Sequence, residues 1–309
     1  MTEQKPDLRT TIGPLSLKNP VITASGTFGY GQEYDQLIDL NKLGAIVVKG
    51  LSLKPCDGNP PPRIVETPGG MLNAIGLANI GVEAFLKDKL PWLQKLETEV
   101  IANIWGQTLS EYGDVARALS GVQGISALEV NISCPNIEHG GLAFGTDPDS
   151  SARVTEEVMK NTDKPVFVKL SPNVTDIRPI ALAVEKAGAN AISLINTLRG
   201  MTIDIDRRSP KLANVSGGLS GPAIRPVALY LVHQVVQTVN IPVIGLGGIM
   251  NYRDALEFLI VGAAAIQIGT ANFINPRASM EIIAGLENYC QEKGLDRIDQ
   301  LIGSLEIIK

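Results

Sequence analysis

Apolar residues along the chain gather into eight short runs. Three open alike, with proline followed by β-branched or other apolar residues: "NPVITAS" (19–25), "KPVFVKL" (164–170) and "IPVIGLGG" (241–248). Proline is tolerated at the first residue of a strand, before the ladder needs its missing N–H. Three others share a different approach: "LGAIVVKG" (43–50), "AGANAISLIN" (187–196) and "VGAAAIQIG" (261–269). There a glycine follows a helical segment, as a C-terminal cap does, and leads into the apolar run. "VIANIWG" (100–106) and "ALEVNIS" (127–133) complete the eight. Helical patterns lie between them. "PVALYLVHQVVQTV" (226–239) sets Val232, Val235, Val236 and Val239 at helical spacing behind a proline. Runs that are apolar throughout, rather than alternating, are strands covered on both faces, and helices between them supply the cover. Eight such units predict an α/β fold of the closed (β/α)8 TIM-barrel type, with residues 1–309 as a single domain. The rival, an open doubly wound sheet, lacks its marker, because no GxGxxG follows the first strand.

The polar positions carry a second message. At or just beyond the end of each run stands a polar residue or a glycine: Ser25, Lys49, Asn103, Asn131, Lys169, Asn196, Gly247 and Gly269. In a barrel these positions form one ring at the C-terminal face, where active sites of this fold sit. Two of the connections after strands are long, 51–77 and 197–221, and loops of that length in a compact domain serve function or stay disordered. Both are expected at the C-terminal face.

Composition narrows the classes. The 309 residues suit a barrel with insertions, and 44% hydrophobic content with 31 glycines suits a glycine-punctuated α/β core. Net charge is −5 with the basic residues scattered, so the chain lacks the basic stripe of a nucleic-acid binder. The stretch "LEFLIVGAAAIQIGTA" (256–271) contains Glu257 and Gln267 and is too short to span a bilayer; it reads as a helix end followed by a buried strand. The polar opening "MTEQKPDLRT" shows no signal peptide. Three cysteines, Cys56, Cys134 and Cys290, without CxxC spacing, predict neither a disulfide scaffold nor a zinc site, and no other metal is expected. A cytoplasmic location fits reduced thiols.

Four groups of residues carry candidate chemistry. "GLGGI" (245–249) and "GTANF" (269–273) follow the seventh and eighth strands, the loops at which barrels bind phosphate through exposed backbone N–H groups. Lys49 and Lys169 end two otherwise buried runs and suit an anionic ligand, an electron-rich cofactor or a Schiff base. Asn73, Asn103, Asn131, Asn136 and Asn196 offer amides able to read a flat heterocycle with alternating N–H and C=O groups. Finally "NISCPN" (131–136) places Cys134 among polar residues, as a nucleophile, a base or an inert thiol. The chain has two histidines: His233 lies within a helical pattern, and His139, near Cys134, leaves a Cys–His pair open without a local signature.

In chain order, "ASG" (24–26), "GNPPPR" (58–63), "NAIGL" (73–77), "NISCPN" (131–136), "VKLSPN" (168–173), "INT" (195–197), "GGLSGPAIRP" (217–226), "GLGG" (245–248) and "IGTA" (268–271) resemble the class 1 dihydroorotate dehydrogenases, flavin enzymes of pyrimidine synthesis. The likeness runs from about Leu15 to Phe273, and "CPNIEHGGLAFGTDP" with "NTLRGM…GGLSGPAIRPVAL" looks most like class 1B, the NAD-linked branch. The resemblance implies oxidation of (S)-dihydroorotate to orotate on the route to UMP. It implies FMN across the barrel mouth, its phosphate on the Gly247–Gly248 and Gly269–Thr270 backbones near Gly221. Ala24, Ser25, Gly26, Lys49, Gly50, Asn103, Asn131, Lys169 and Ile195 would contact the rest of the cofactor, Lys169 facing its ring. Lys49, Asn73, Ile75, Gly76, Leu77, Asn131, Asn136, Asn196 and Thr197 would hold the substrate. Hydride would pass from C6 to flavin N5, and Cys134 would take the C5 proton. Class 1B also implies a homodimer core in a heterotetramer, with FAD and a [2Fe–2S] cluster confined to an iron–sulfur flavoprotein partner that reduces NAD. The alternatives are a class 1A enzyme using fumarate, a Schiff-base aldolase or sugar-phosphate isomerase on the same barrel, and a cofactor-free binding protein.

Overall fold

The computed structural model of the protein describes residues 5–133 and 144–307. Eight parallel strands close into a barrel in chain order: β1 (Val21–Thr23), β2 (Ala45–Leu51), β3 (Glu99–Ile104), β4 (Ala127–Asn131), β5 (Val166–Lys169), β6 (Ala191–Leu194), β7 (Val243–Leu246) and β8 (Ala265–Ile268). β8 returns to β1 through the register Ile266↔Val21, which leaves no free edge. Each expected apolar run overlaps one of these strands, with Glu99 and Leu51 extending two of them by a residue.

Alternation along each strand separates two cores. Ile22, Ala45, Val47, Ile101, Ala127, Phe167, Ala191, Ile244 and Ala265 point inward as one cluster. Their neighbours in sequence, such as Ile46, Ala102, Leu128 and Val168, point outward and belong to the larger cluster beneath the helices. The inward cluster also holds Ile12, Leu15 and Leu17. These come from an antiparallel hairpin, Thr10–Ile12 with Leu15–Leu17, that stoppers the N-terminal end of the barrel.

Helices Leu109–Leu119, Pro148–Lys160, Arg178–Lys186, Arg225–Val236, Tyr252–Ile260 and Ala278–Lys293 cover the outside. Their starts follow local chemistry. Asn251 accepts from the backbone N–H groups of Arg253 and Asp254, and Asp147 accepts from that of Ser150 ahead of Pro148. The helix expected over 226–239 ends at Val236, with Val232 and Val235 buried beneath it. Residues 256–271 form a helix end and then β8, as expected.

The structure corrects three expectations. No α-helix separates β1 from β2: that segment makes only two 3-10 turns, Gln32–Tyr34 and Leu40–Lys42, because Gly29 (φ 57°) and Gly31 (φ 90°) interrupt it. Gly188 (φ 99°) and Gly262 (φ 113°) do adopt the conformation of helix caps, whereas Gly44 does not. Gly44 is needed because a Cβ there would collide with the Asn19 carbonyl. The two long connections are also not structureless. Ile64–Thr67, Gly70–Asn73, Ser216–Ser220 and Leu198–Met201 pair into one antiparallel sheet, in that spatial order, at the C-terminal face. Each long loop satisfies its backbone by pairing with itself, and the two join through Gly70–Asn73 and Ser216–Ser220.

Candidate active site

The ends of the strands and this added sheet enclose a cavity of about 490 Å3, within the range of small-ligand sites. Every described residue that the resemblance implies for cofactor or substrate lines it, whereas Cys56, His233 and Cys290 do not. Ala24, Ser25 and Gly26 enter beyond β1, Lys49 and Gly50 from β2, Asn103 from β3, Asn131 from β4 and Lys169 from β5. Ile195, Asn196 and Thr197 follow β6, Gly247 and Gly248 follow β7, and Gly269 and Thr270 follow β8. Asn73, Ile75, Gly76, Leu77 and Gly221 come from the long connections. Cys134, Asn136 and His139 lie outside the described residues.

One wall is backbone. Gly247 (φ 127°) and Gly248 (φ 75°) lie in the region that favours glycine, and a Cβ on Gly248 would sit 2.7 Å from the Arg225 Cβ. Arg225 opens its helix and pairs with Asp254, whose carboxylate also accepts from the Met250 N–H at 2.9 Å. The glycine turn is thereby held between two helix starts. Across the rim, Thr270 and Ser220 hydroxyls meet at 2.8 Å, joining the loop after β8 to the added sheet.

The opposite wall is made of amides with fixed orientations. Asn131 Oδ1 accepts from the Ser133 hydroxyl (2.9 Å) and backbone N–H (3.2 Å). Asn196 Nδ2 donates to the same hydroxyl at 2.9 Å, while Asn196 Oδ1 accepts from the Thr197 N–H at 2.8 Å. Ser133 thus couples two asparagines contributed by different strands.

The floor is charged. Glu129, fully buried, accepts from Asn103 Nδ2 (2.7 Å), Ser193 Oγ (2.8 Å) and Gln267 Nε2 (2.5 Å). Lys169 Nζ donates to Gln267 Oε1 at 3.3 Å and lies 3.7 Å from Glu129 Oε2. Asn103 is fixed by its bond to Glu129, and its Oδ1 has no hydrogen-bond partner among the described residues. Lys49 stands apart from this network. Burial pushes its pKa below the ordinary lysine range, the charge of Arg63 adds to that, and Glu33 opposes it.

The sequence does not single out Glu129, Ser193 or Ser133 as site residues, and Gln267 stands out there only as a polar residue in an apolar stretch and as a departure from the class 1B pattern, with no role in the site. The signal for Glu129 was present: a carboxylate in the middle of an apolar run, two residues before Asn131, must face the same side of the strand as that asparagine.

Residues 7–290 match the family model described as dihydroorotate dehydrogenase. The chain is 56% identical over 304 residues to a protein of Geobacter sp. (strain M21) named dihydroorotate dehydrogenase B (NAD(+)), catalytic subunit, covering 98% of this chain and 100% of that one. Proteins of the same name from Trichlorobacter lovleyi and Desulforamulus reducens are 58% identical over 302 residues and 57% over 303. Those matches cover 98% of this chain, and 99% and 100% of the relatives respectively.

Proposed function

The chain belongs to the dihydroorotate dehydrogenase family, and from that premise we propose how its cavity oxidises (S)-dihydroorotate to orotate in pyrimidine biosynthesis. The observation that carries the reading is convergence. Two lysines, four asparagines and two glycine turns, dispersed from Lys49 to Thr270, meet around one cavity.

The residues present fit FMN. A glycine turn whose Cβ positions are blocked suits a phosphate gripped by backbone N–H groups. Asn103 lines the cavity, and its buried acceptor Oδ1, without a partner among the described residues, suits a heterocyclic N–H. Gly247, Gly248, Gly269 and Thr270 would hold the phosphate near Gly221. Ala24, Ser25, Gly26, Lys49, Gly50, Asn103, Asn131, Lys169 and Ile195 would hold the remainder. When bound, FMN supplies the hydride acceptor. Asn73, Asn131, Asn196 and Thr197, with Lys49, the 75–77 backbone and Asn136, would orient the substrate's carboxylate and ring amides. The Ser133 bridge occupies the Asn131 oxygen, so among the described residues its amide N–H groups remain to donate. Making the ring double bond also requires removal of the C5 proton. Cys134 is the base assigned by the resemblance, on the segment that directly follows Ser133. A Schiff-base reading suits Lys169 poorly, because its amine is engaged by Gln267 and faces Glu129.

The relatives' name, NAD-linked and a catalytic subunit, extends the proposal to a partner. Electrons would leave through an iron–sulfur flavoprotein carrying FAD and a [2Fe–2S] cluster, in a heterotetramer built on a homodimer of this chain, in the cytoplasm. Among the described residues no helix is long and apolar enough to cross a membrane.

Two measurements test the reading. Dihydroorotate should reduce NAD+ when the partner is co-expressed, and turnover with NAD+ by this chain alone at the same rate would contradict the partner. Cys134→Ala should retain flavin yet slow its reduction by dihydroorotate by about 100-fold or more. Near-normal reduction in stopped flow would refute the thiol's role.

A further inference from the structure

Glu129 has a position that the reaction as described does not use. It is fully buried one side-chain layer below the cavity, and Asn103, Lys169 and Gln267 stand between it and the space the ligand takes. Both its oxygens are committed. Oε1 accepts from Ser193 and Gln267, and Oε2 accepts from Asn103 and faces the Lys169 amine. Gln267 reads both charges at once, donating to Glu129 and accepting from Lys169, so its amide cannot turn over without losing both bonds. The residues on the four neighbouring inward positions of β3, β5, β6 and β8 all address this one carboxylate.

A buried carboxylate is costly unless it is paired and hydrogen-bonded. A barrel interior filled by apolar side chains, as it is below this level, would avoid that cost. Resting on the reading that FMN occupies the cavity, we propose that Glu129 is the buried counterion of Lys169, a positioning residue that fixes the lysine amine at the cavity floor and limits the positive charge the flavin ring feels. In a site sheltered from water a full charge acts strongly across one side-chain layer. Removing Glu129 exposes the uncompensated ammonium to the ring, and placing a second carboxylate beside Lys169 overcompensates it.

The test uses full-length protein with FMN bound and reads two quantities other than turnover: the flavin midpoint potential and the affinity for sulfite. Sulfite donates its sulfur lone pair to flavin N5, and the resulting negative charge resides on the ring, so tighter binding reports a more positive site. Glu129→Gln should raise the potential and tighten sulfite by about tenfold, which is about 30 mV for a two-electron couple. Gln267→Glu should move both quantities the other way. In the Glu129→Gln/Lys169→Gln double variant both charges are gone, and both quantities should return to near the wild-type values. Ser193→Ala removes one hydrogen bond without changing charge and should leave them unmoved. Should Glu129→Gln fail to fold, Gln267→Glu and the double variant decide. Unchanged potential and sulfite affinity in flavin-loaded Glu129→Gln, or a shift of the same sign in Gln267→Glu, would overturn the counterion role. Wild-type protein that takes up no FMN would instead overturn the functional reading on which it rests.

Discussion

The lower and upper halves of the barrel interior are built from the same strands by opposite rules. Below, Ile22, Val47, Ile101, Phe167 and Ile244 fill the bore, and a hairpin carrying Ile12, Leu15 and Leu17 seals it. One step further along the same strands, the inward positions become Asn103, Glu129, Lys169, Ser193 and Gln267. Alternation puts Phe167 and Lys169 on the same side of β5, and Ala127, Glu129 and Asn131 on the same side of β4. The difference lies in what each half must supply. The lower layer gains free energy by excluding water from apolar area. The upper layer meets the cost of buried polarity with mutual hydrogen bonds and so holds charged groups in fixed places for a ligand. The barrel thus separates stability from chemistry by depth.

Substitutions sharpen this division. The largest expected effect is at the bottom. Phe167→Ala should cost about 3–5 kcal/mol of stability, measured by urea denaturation, by leaving a void in a sealed layer. Any folded fraction should bind FMN with unchanged stoichiometry, and a selective loss of flavin would show that the layers are not independent. Leu17→Ala in the hairpin should cost about 2–5 kcal/mol by the same route, with the same indifference in flavin binding. At the top, Gly248→Ala should do the reverse. It adds a Cβ at a φ of 75° against Arg225, and should weaken FMN binding by about tenfold or more, read by flavin fluorescence, while costing about 1–2 kcal/mol of stability, less than either lower-layer truncation.

The smallest effect is a pH dependence. Burial lowers the pKa of Lys49 in the free protein, so its ammonium is lost at lower pH than that of an exposed lysine. An anionic substrate favours the charged form. The apparent KM for dihydroorotate should therefore be flat below that lowered pKa and rise as pH climbs through it. Lys49→Met should have a high KM with no such alkaline limb. An alkaline limb that persists in Lys49→Met would assign it to another group.

Much of this organisation was legible in the sequence. Continuous apolar runs, six of them beginning at proline or after glycine, marked all eight strands, and the polar residue or glycine ending each run marked the cavity ring. What was not legible depended on contacts across the fold. Each long connection folds back on itself as an antiparallel pair, Ile64–Thr67 with Gly70–Asn73 and Leu198–Met201 with Ser216–Ser220, but these become one sheet only because Gly70–Asn73 pairs with Ser216–Ser220 far along the chain. Gly44 looked like a cap, and its reason is the carbonyl of a distant asparagine. Glu129, Ser193 and Gln267 sit inside apolar runs and were absorbed by them. Period-two alternation would have placed Glu129 with Asn131, but its pairing with Lys169 required the neighbouring strand, where Asn131↔Lys169 are in register.

A flavin held in the upper layer of this barrel must be reducible by dihydroorotate. Anaerobic mixing of the purified protein with dihydroorotate, followed by absorbance, tests it most directly. The expected outcome is a yellow protein with one FMN per chain whose visible flavin band bleaches on mixing. A protein that stays colourless after incubation with FMN, or a bound flavin whose band survives saturating dihydroorotate, would contradict it.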